Sequence, residues 1–167
     1  MKRILFCFSA LLFASMAKPT YADDYEIQFL AAACSLVNRP DAKVVVTAQG
    51  PGVQHRDGSL KDVIILCPIN ADVINFFNWL QLVAEDNTPN GYAEATLWRM
   101  NTYQPMPAQA LYRVTTVDQP GVQIAVNYDV YDTLDVENYV YWIEIRIVRT
   151  SADAVVTVYS VGLLNVF

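Results

Sequence analysis

The clearest pattern along the chain is the alternation of apolar and polar positions in NYVYWIEIRIVR, residues 138–149. One side carries five large apolar side chains, Tyr139, Tyr141, Ile143, Ile145 and Ile147. The other side is mixed and consists of Val140, Trp142, Glu144, Arg146 and Val148. Successive side chains of a strand point to opposite faces of a sheet, so this period of two predicts a long strand. Because only one face is apolar, we expect this strand in an antiparallel sheet that is covered on one side.

Short runs rich in Val, Ile, Thr, Tyr and Trp recur through the rest of the chain, separated by Gly, Pro, Asn and Asp. They predict strands at 25–29, 43–48, 62–67, 93–100, 111–117, 122–128 and 154–164. A further short strand is expected at Val53, within QGPGVQHRDGS. Pro68 has no N–H to donate to a neighbouring strand, so Cys67 is predicted to be the last residue of its strand.

Residues 75–85, NFFNWLQLVAE, fit a helix almost as well as a strand. Their second half alternates and is followed by EDNTPNG at 85–91, which is turn chemistry. We therefore predict a strand there, with 93–100 as its hairpin partner, and we expect Trp79 and Trp98 to pack in the core.

Eight or nine strands joined by short turns, with no convincing amphipathic helix, predict an all-β fold. The expected architecture is a two-sheet antiparallel sandwich of jelly-roll or immunoglobulin-like topology.

The first 22 residues predict a signal peptide. Lys2 and Arg3 give a positive start, an apolar run follows from Ile4 to Ala17, and cleavage is expected after Ala22. The apolar run is too short to span a bilayer, so no integral membrane segment is expected after cleavage. Residues 23–167 are then a single β-sandwich domain in a secreted or periplasmic protein.

The charge of the mature chain bounds its partners. Cleavage removes three of the 11 basic residues and none of the 17 acidic ones, so the net charge falls from −6 to −9. An acidic chain without a Lys/Arg cluster does not suit nucleic acid or anionic membrane surfaces. The partner is expected to be a protein or a glycan.

Two of the three cysteines remain after cleavage, in a compartment that oxidises thiols. A disulfide from Cys34 to Cys67 is the only intramolecular pairing. A zinc site would need more ligands than two cysteines and one histidine, and the Cys-x-x-Cys of a redox pair is absent. The structural bridge is therefore preferred over a working thiol.

The order of features through the mature chain also supports a resemblance. Cys34, a strand, Gly52-Val53 in a loop, VIILCPI, a late tyrosine-rich strand and a final Val/Tyr strand follow one another. In this order the chain resembles small uncharacterised secreted bacterial β-sandwich proteins. The resemblance implies the fold and export and implies no activity.

Candidate catalytic residues are few. A Ser-His-Asp triad would have to use His55, the only histidine, and a lone histidine in a polar turn is more often plain surface. Two carboxylates suited to glycoside hydrolysis can meet in any fold, but nothing in the sequence selects a pair. No catalytic residue is assigned, and no enzyme activity is expected.

Two candidate binding sites stand out. The segment YDVYDTLDVEN, residues 128–138, concentrates the oxygen ligands that Ca²⁺ prefers, namely Asp129, Asp132, Asp135 and Glu137. Their spacing is not that of an EF-hand loop, and a solvated acidic turn is the competing interpretation. Separately, Trp142, Glu144 and Arg146 share one strand face, and an aromatic ring flanked by polar groups suits a sugar as well as it suits packing between sheets.

These observations predict an exported, non-enzymatic β-sandwich protein that acts by binding or as an extracellular structural component. The alternative is a carbohydrate-binding or lectin-like module, assisted by calcium or not. A small secreted hydrolase is a further alternative from another class. No cofactor besides Ca²⁺ is implied.

Overall fold

A computed structural model describes residues 26–70, 76–87, 90–104, 106–117, 119–130 and 132–165. The predicted signal peptide lies outside these residues. Within them, no helix is both long and apolar enough to cross a membrane. Apart from two short 3₁₀ turns at Ala31–Ala33 and Arg39–Asp41, the regular structure of the described part is strand.

Thirteen strands are formed by the described residues. In chain order they are β1 Glu26–Leu30, β2 Ser35–Leu36, β3 Ala42–Thr47, β4 Gly50–His55, β5 Val63–Ile69, β6 Phe76–Phe77, β7 Trp79–Asp86, β8 Gly91–Asn101, β9 Gln109–Thr115, β10 Gly121–Asn127, β11 Asp132–Thr133, β12 Tyr139–Arg149 and β13 Val156–Leu164.

These strands form two main antiparallel sheets and one small one. The first sheet has the order β10-β7-β13-β4-β3, with β1 paired to the second half of β13. The second sheet has the order β2-β5-β12-β8-β9, and β11 pairs with β6 in a two-stranded sheet. The predicted all-β antiparallel sandwich is confirmed.

The strand order distinguishes between the two expected topologies. Along the chain from β4 to β13, leaving out the two-residue strands β6 and β11, successive strands lie in opposite sheets at every step except β8 to β9, which pair directly. Two four-stranded sheets, β10-β7-β13-β4 and β5-β12-β8-β9, result from this crossing back and forth. This is the arrangement of a jelly roll, in which paired strands fold over together into two sheets. The immunoglobulin-like alternative is not observed.

The core lies between the two sheets and is filled by the inward residues of alternating strands. Ile143, Ile145 and Ile147 of β12 are fully buried, as the period of two predicted. From the facing sheet, Leu80 and Leu82 of β7 are equally buried. The same alternation leaves the other face of each sheet partly exposed, and that is where contacts with a partner can form.

Two sequence predictions on strand ends and pairing are wrong. β7 and β8 do not form a hairpin, because β7 pairs with β10 and β13 while β8 pairs with β12 and β9. Strand β5 also continues past Cys67 to Ile69. The backbone N–H of Val37 donates to the carbonyl of Ile64, so the even-numbered residues of β5 point their backbone N–H and C=O groups toward the β2 side. Strand β2 pairs only with Leu66 and Ile65 and does not extend as far as Pro68. Position 68 therefore has no strand beside it on this side, so a proline, which lacks the backbone N–H, costs no hydrogen bond between strands there.

Candidate functional site

The predicted bridge between Cys34 and Cys67 is present, with the two Cα atoms 4.9 Å apart. Cys67 is fully buried on the inner face of β5. Cys34 precedes β2, and it follows the 3₁₀ turn that leads from β1. The segment from β1 to β2 connects the first sheet to the second, and the disulfide attaches this segment to the buried inner face of β5. Cys67 is a structural residue and has no free thiol.

Of the four acidic residues proposed for calcium, two accept hydrogen bonds from other residues of the protein and two are exposed. Asp135 accepts hydrogen bonds from the backbone and side-chain nitrogens of Asn138, at 3.2 and 2.9 Å, and thereby caps its own turn. Asp132 accepts from Tyr112 at 3.4 Å, and burial together with this carboxylate raises the pKa of the Tyr112 hydroxyl. Asp129 and Glu137 are exposed.

No group of three or more His, Cys, Asp or Glu side chains within the described residues is arranged to hold a metal ion. The acidic segment therefore resembles the solvated turn that was its competing interpretation. The calcium site stays a prediction to which this arrangement adds no support.

The three residues proposed for ligand binding lie together on the outer face of the second sheet. Trp142 of β12 is directly opposite Trp98 of β8, and the two indole rings lie within 7° of parallel with centroids 6.3 Å apart. Pro68 is the neighbour of Trp142 on the other side, in β5. Val140 and Met100 continue this surface and are 44% and 42% exposed. We call this surface, centred on Trp98, Trp142, Glu144 and Arg146, the tryptophan face.

Charged side chains border the two indoles. Glu144 is half-buried between Leu66 and Thr96, its neighbours on the flanking strands. Among the described residues it takes part in no ion pair. Its carboxylate is therefore available to accept hydrogen bonds from a partner.

Arg146 is occupied by other residues of the protein. Its Nε donates to Asp62 Oδ2 at 2.6 Å, and its Nη1 lies 3.9 Å from Glu94 Oε1. The hydrogen bond and charge of Asp62 raise the pKa of Arg146 above its already high value. Arg146 is therefore held in place by Asp62 and Glu94 and has less capacity than Glu144 to bind a ligand.

The expectation that Trp79 and Trp98 pack in the core is wrong for both residues. Each is half-buried on an outer sheet face, and Trp79 contacts the ring of Tyr128 edge to face at a centroid distance of 4.8 Å. The indole N–H of Trp98 is buried and has no hydrogen-bond partner among the described residues. Sequence reasoning missed Trp98 as a functional candidate, because its pairing with Trp142 depends on strand register.

His55 is also not where the sequence placed it. Instead of lying in a surface turn, it ends β4 and is only 3% exposed. Neither of its ring nitrogens has a hydrogen-bond partner in the described part of the chain. A catalytic base must bond to the group that it deprotonates, and no described hydroxyl or thiol is in reach of this imidazole.

Comparisons with known proteins assign no function to this chain. No protein-family model matches the chain, and no curated protein matches it in sequence. Among solved structures, a family two carbohydrate esterase from Cellvibrio japonicus matches with 11% identity over 86% of this chain, with a TM-score of 0.41. The insecticidal crystal protein Cry2Aa matches with 10% identity over 84% and a TM-score of 0.46.

A family 11 carbohydrate-binding module from Clostridium thermocellum matches with 9% identity over 86% of this chain and 90% of its own, with a TM-score of 0.40. By contrast, this chain spans only 34% of the esterase chain and 21% of the crystal protein. The proteins matched differ widely in what they do, so the likeness assigns no activity.

Proposed function

We propose that this protein is an exported, non-enzymatic binding module that recognises carbohydrate through the tryptophan face. The observation that carries the proposal is the parallel pair of Trp98 and Trp142 beside the carboxylate of Glu144, which forms no ion pair with any described residue. Sugars present apolar C–H faces and polar hydroxyl edges. An aromatic surface and a hydrogen-bond acceptor are the two groups that complement them.

The rigidity of the tryptophan face supports this function. Both indoles stand on the central strands β8 and β12, which pair over eleven residues from Tyr139–Asn101 to Arg149–Gly91. A site built on paired strands loses little conformational entropy when a ligand binds, because its side chains are already held in place. Glu144 belongs to the same strand as Trp142 and is two residues away, so the two groups keep a fixed separation.

Export is supported by the Cys34–Cys67 disulfide, since such bonds persist mainly in oxidising compartments. The absence of enzyme activity is supported by His55, whose imidazole has no described nucleophile within hydrogen-bonding reach. The tryptophan face has one carboxylate free of ion pairs with described residues, that of Glu144, whereas glycoside hydrolysis uses two carboxyl groups on either side of the bond.

The test is a glycan array, followed by titration of the oligosaccharide that binds best while tryptophan fluorescence is recorded. Trp142→Ala should weaken binding about 30-fold, the loss expected when a central aromatic contact worth about 2 kcal/mol is removed. Glu144→Gln should weaken it less, because the amide keeps one acceptor oxygen.

Trp79→Ala is the matched control, because it removes a half-buried indole from the outer face of the other sheet. It should leave binding unchanged. The proposal is wrong if no glycan binds, or if Trp142→Ala and Trp79→Ala have the same effect on affinity.

A further inference from the structure

The charged side chains on and around the tryptophan face are not balanced. Both guanidinium groups of this surface already lie next to carboxylates. Arg146 donates to Asp62 Oδ2 at 2.6 Å, and Arg113 of β9 lies 3.9 Å from Glu94. Glu144, by contrast, has no basic side chain within ion-pairing distance in the described part of the chain. The surface therefore carries one negative charge that has no counter-ion among these residues.

The Glu144 carboxylate can be reached by a ligand. Its side chain is half-buried, but its oxygens are not among the buried polar atoms that lack a partner. No described residue donates a hydrogen bond to these oxygens, so both keep contact with solvent. An ionised carboxylate only accepts hydrogen bonds, so the group that binds to it must be a donor.

Hydrogen-bond donors on the same surface are less available than this acceptor. The indole N–H of Trp98 is buried and cannot meet a ligand. Arg146 directs two of its nitrogens toward Asp62, and Thr96, between Glu144 and Arg113, is only 4% exposed. A sugar with carboxylate or sulfate groups would find few donors here and would be repelled by Glu144. Charge complementarity thus favours a ligand that carries donors and a positive charge.

The two indoles favour the same sign of charge. The face of an aromatic ring attracts a cation that lies within about 6 Å of the ring centre. Trp142 and Glu144 are two residues apart on β12, so their Cα atoms are separated by about 7 Å. A sugar ring that packs on Trp142 can therefore bring a charged substituent close to both the indole and the carboxylate. The net charge of the chain, −6, acts in the same direction.

We propose that the tryptophan face binds amino sugars, namely glycans whose glucosamine-type residues carry a free ammonium group. This ligand class rests on the proposed function and makes it specific. An ammonium group has donors and no acceptor, so it complements a surface whose accessible charged group is an unpaired carboxylate. Its hydrogen bond to Glu144 is charge-assisted and hence about twice as strong as a neutral one. Acetylation of the amino group removes the charge and should remove this advantage.

Three tetrasaccharides with the same backbone and linkage serve as probes. They are the tetramers of glucosamine, N-acetylglucosamine and glucose, which carry an ammonium, an acetamide or a hydroxyl group at the same ring carbon. Each is titrated at pH 6, where the amino groups are mostly charged, while tryptophan fluorescence is recorded. The glucosamine tetramer should bind about tenfold more tightly than either neutral tetramer. The glucose tetramer shows whether the acetyl group weakens binding by its size alone.

Two variants and one peptide separate the Glu144 contact from general attraction of charge. Glu144→Gln keeps the shape of the side chain and should reduce the preference for the glucosamine tetramer to about one. Asp153→Asn is the matched control, because it removes one negative charge at an exposed residue in the turn after β12. It should leave the preference unchanged. Tetralysine carries the same number of ammonium groups on its side chains and should bind more weakly, because it has no sugar ring to pack on Trp142.

The outcomes distinguish this ligand class from the proposed function. Equal binding of a neutral tetramer or of tetralysine would overturn the assignment to amino sugars, and so would equal effects of Glu144→Gln and Asp153→Asn on the preference. If another glycan binds through Trp142 and the ammonium group brings no preference, the proposed function stands and only the amino-sugar class is rejected. If no glycan binds at all, both are rejected.

Discussion

Lowering the pH from 7 to 4 should destabilise this protein, and His55 alone should account for about 3 kcal/mol of the loss. Burial lowers the pKa of His55 from 6.5 to about 4, and the positive charge of Arg149 acts in the same direction. The Lys61 backbone and the carboxylates of Asp62 and Asp41 offset part of this effect. The neutral imidazole is thus the form that the fold accommodates.

The sign follows from comparing the two states. Between pH 6.5 and about 4 the unfolded chain has a protonated histidine, while the folded chain keeps it neutral. The unfolded state then binds more protons, so acidification favours unfolding. Each pH unit in this window removes up to about 1.4 kcal/mol, and a pKa difference of about 2.5 gives the total stated above. Well above pH 6.5 the histidine is neutral in both states and contributes no pH dependence.

His55→Phe isolates this contribution, because phenylalanine has a similar ring and does not titrate. The substitution also removes the interaction of the ring with the Lys61 backbone, so the comparison uses the change with pH in the difference between the two proteins and not the difference at one pH. Urea unfolding of the oxidised protein, followed by circular dichroism at pH 7.5, 5.5 and 4, gives the free energy of unfolding of both proteins.

The difference in unfolding free energy between variant and wild type should shift in favour of the variant by about 3 kcal/mol from pH 7.5 to 4. Acidification also removes the stabilisation given by carboxylates such as Asp57, whose pKa is lowered by the Lys43 hydrogen bond. These carboxylates titrate in both proteins, so their contribution cancels in the difference. A difference that stays constant across this range would refute the assignment of a buried neutral histidine.

Two further predictions concern stability. Replacing both Cys34 and Cys67 by alanine should lower the free energy of unfolding by about 4 kcal/mol in the chain-entropy model, because the bridge closes a loop with a sequence separation of 33. An unchanged midpoint of urea unfolding would contradict this prediction. Gly91→Ala should cost about 1–3 kcal/mol, because the added Cβ would lie 2.5 Å from Cγ2 of Val156. Val156→Ala should relieve part of that cost, so the effects of the two substitutions on the free energy of unfolding, measured by thermal denaturation, should not add in the double mutant. Strictly additive effects would show that this contact is not responsible.

The composition of the tryptophan face is only half predictable from the sequence. Trp142, Glu144 and Arg146 share a face because side chains alternate along a strand, and this is a local property. The position of Trp98 opposite Trp142 and of Asp62 beside Arg146 depends on the register between strands far apart in the chain. Without that register, Trp98 looks like a core residue and Arg146 like a free ligand-binding group.

The false hairpin between β7 and β8 has a related cause. The sequence EDNTPNG predicts a reversal of the chain, but turn chemistry does not determine whether the next strand pairs with the previous one or crosses to the opposite sheet. In this jelly roll most connections between the long strands cross over. Similarly, the extent of β5 beyond Pro68 depends on how far β2 reaches, which only the assembled sheet defines.

The position of His55 shows how strand pairing changes chemistry. GPGVQH has the glycine and proline content of a loop, yet it forms β4 because it pairs with β3 on one side and β13 on the other. That pairing buries an imidazole beside Arg149 and keeps it neutral.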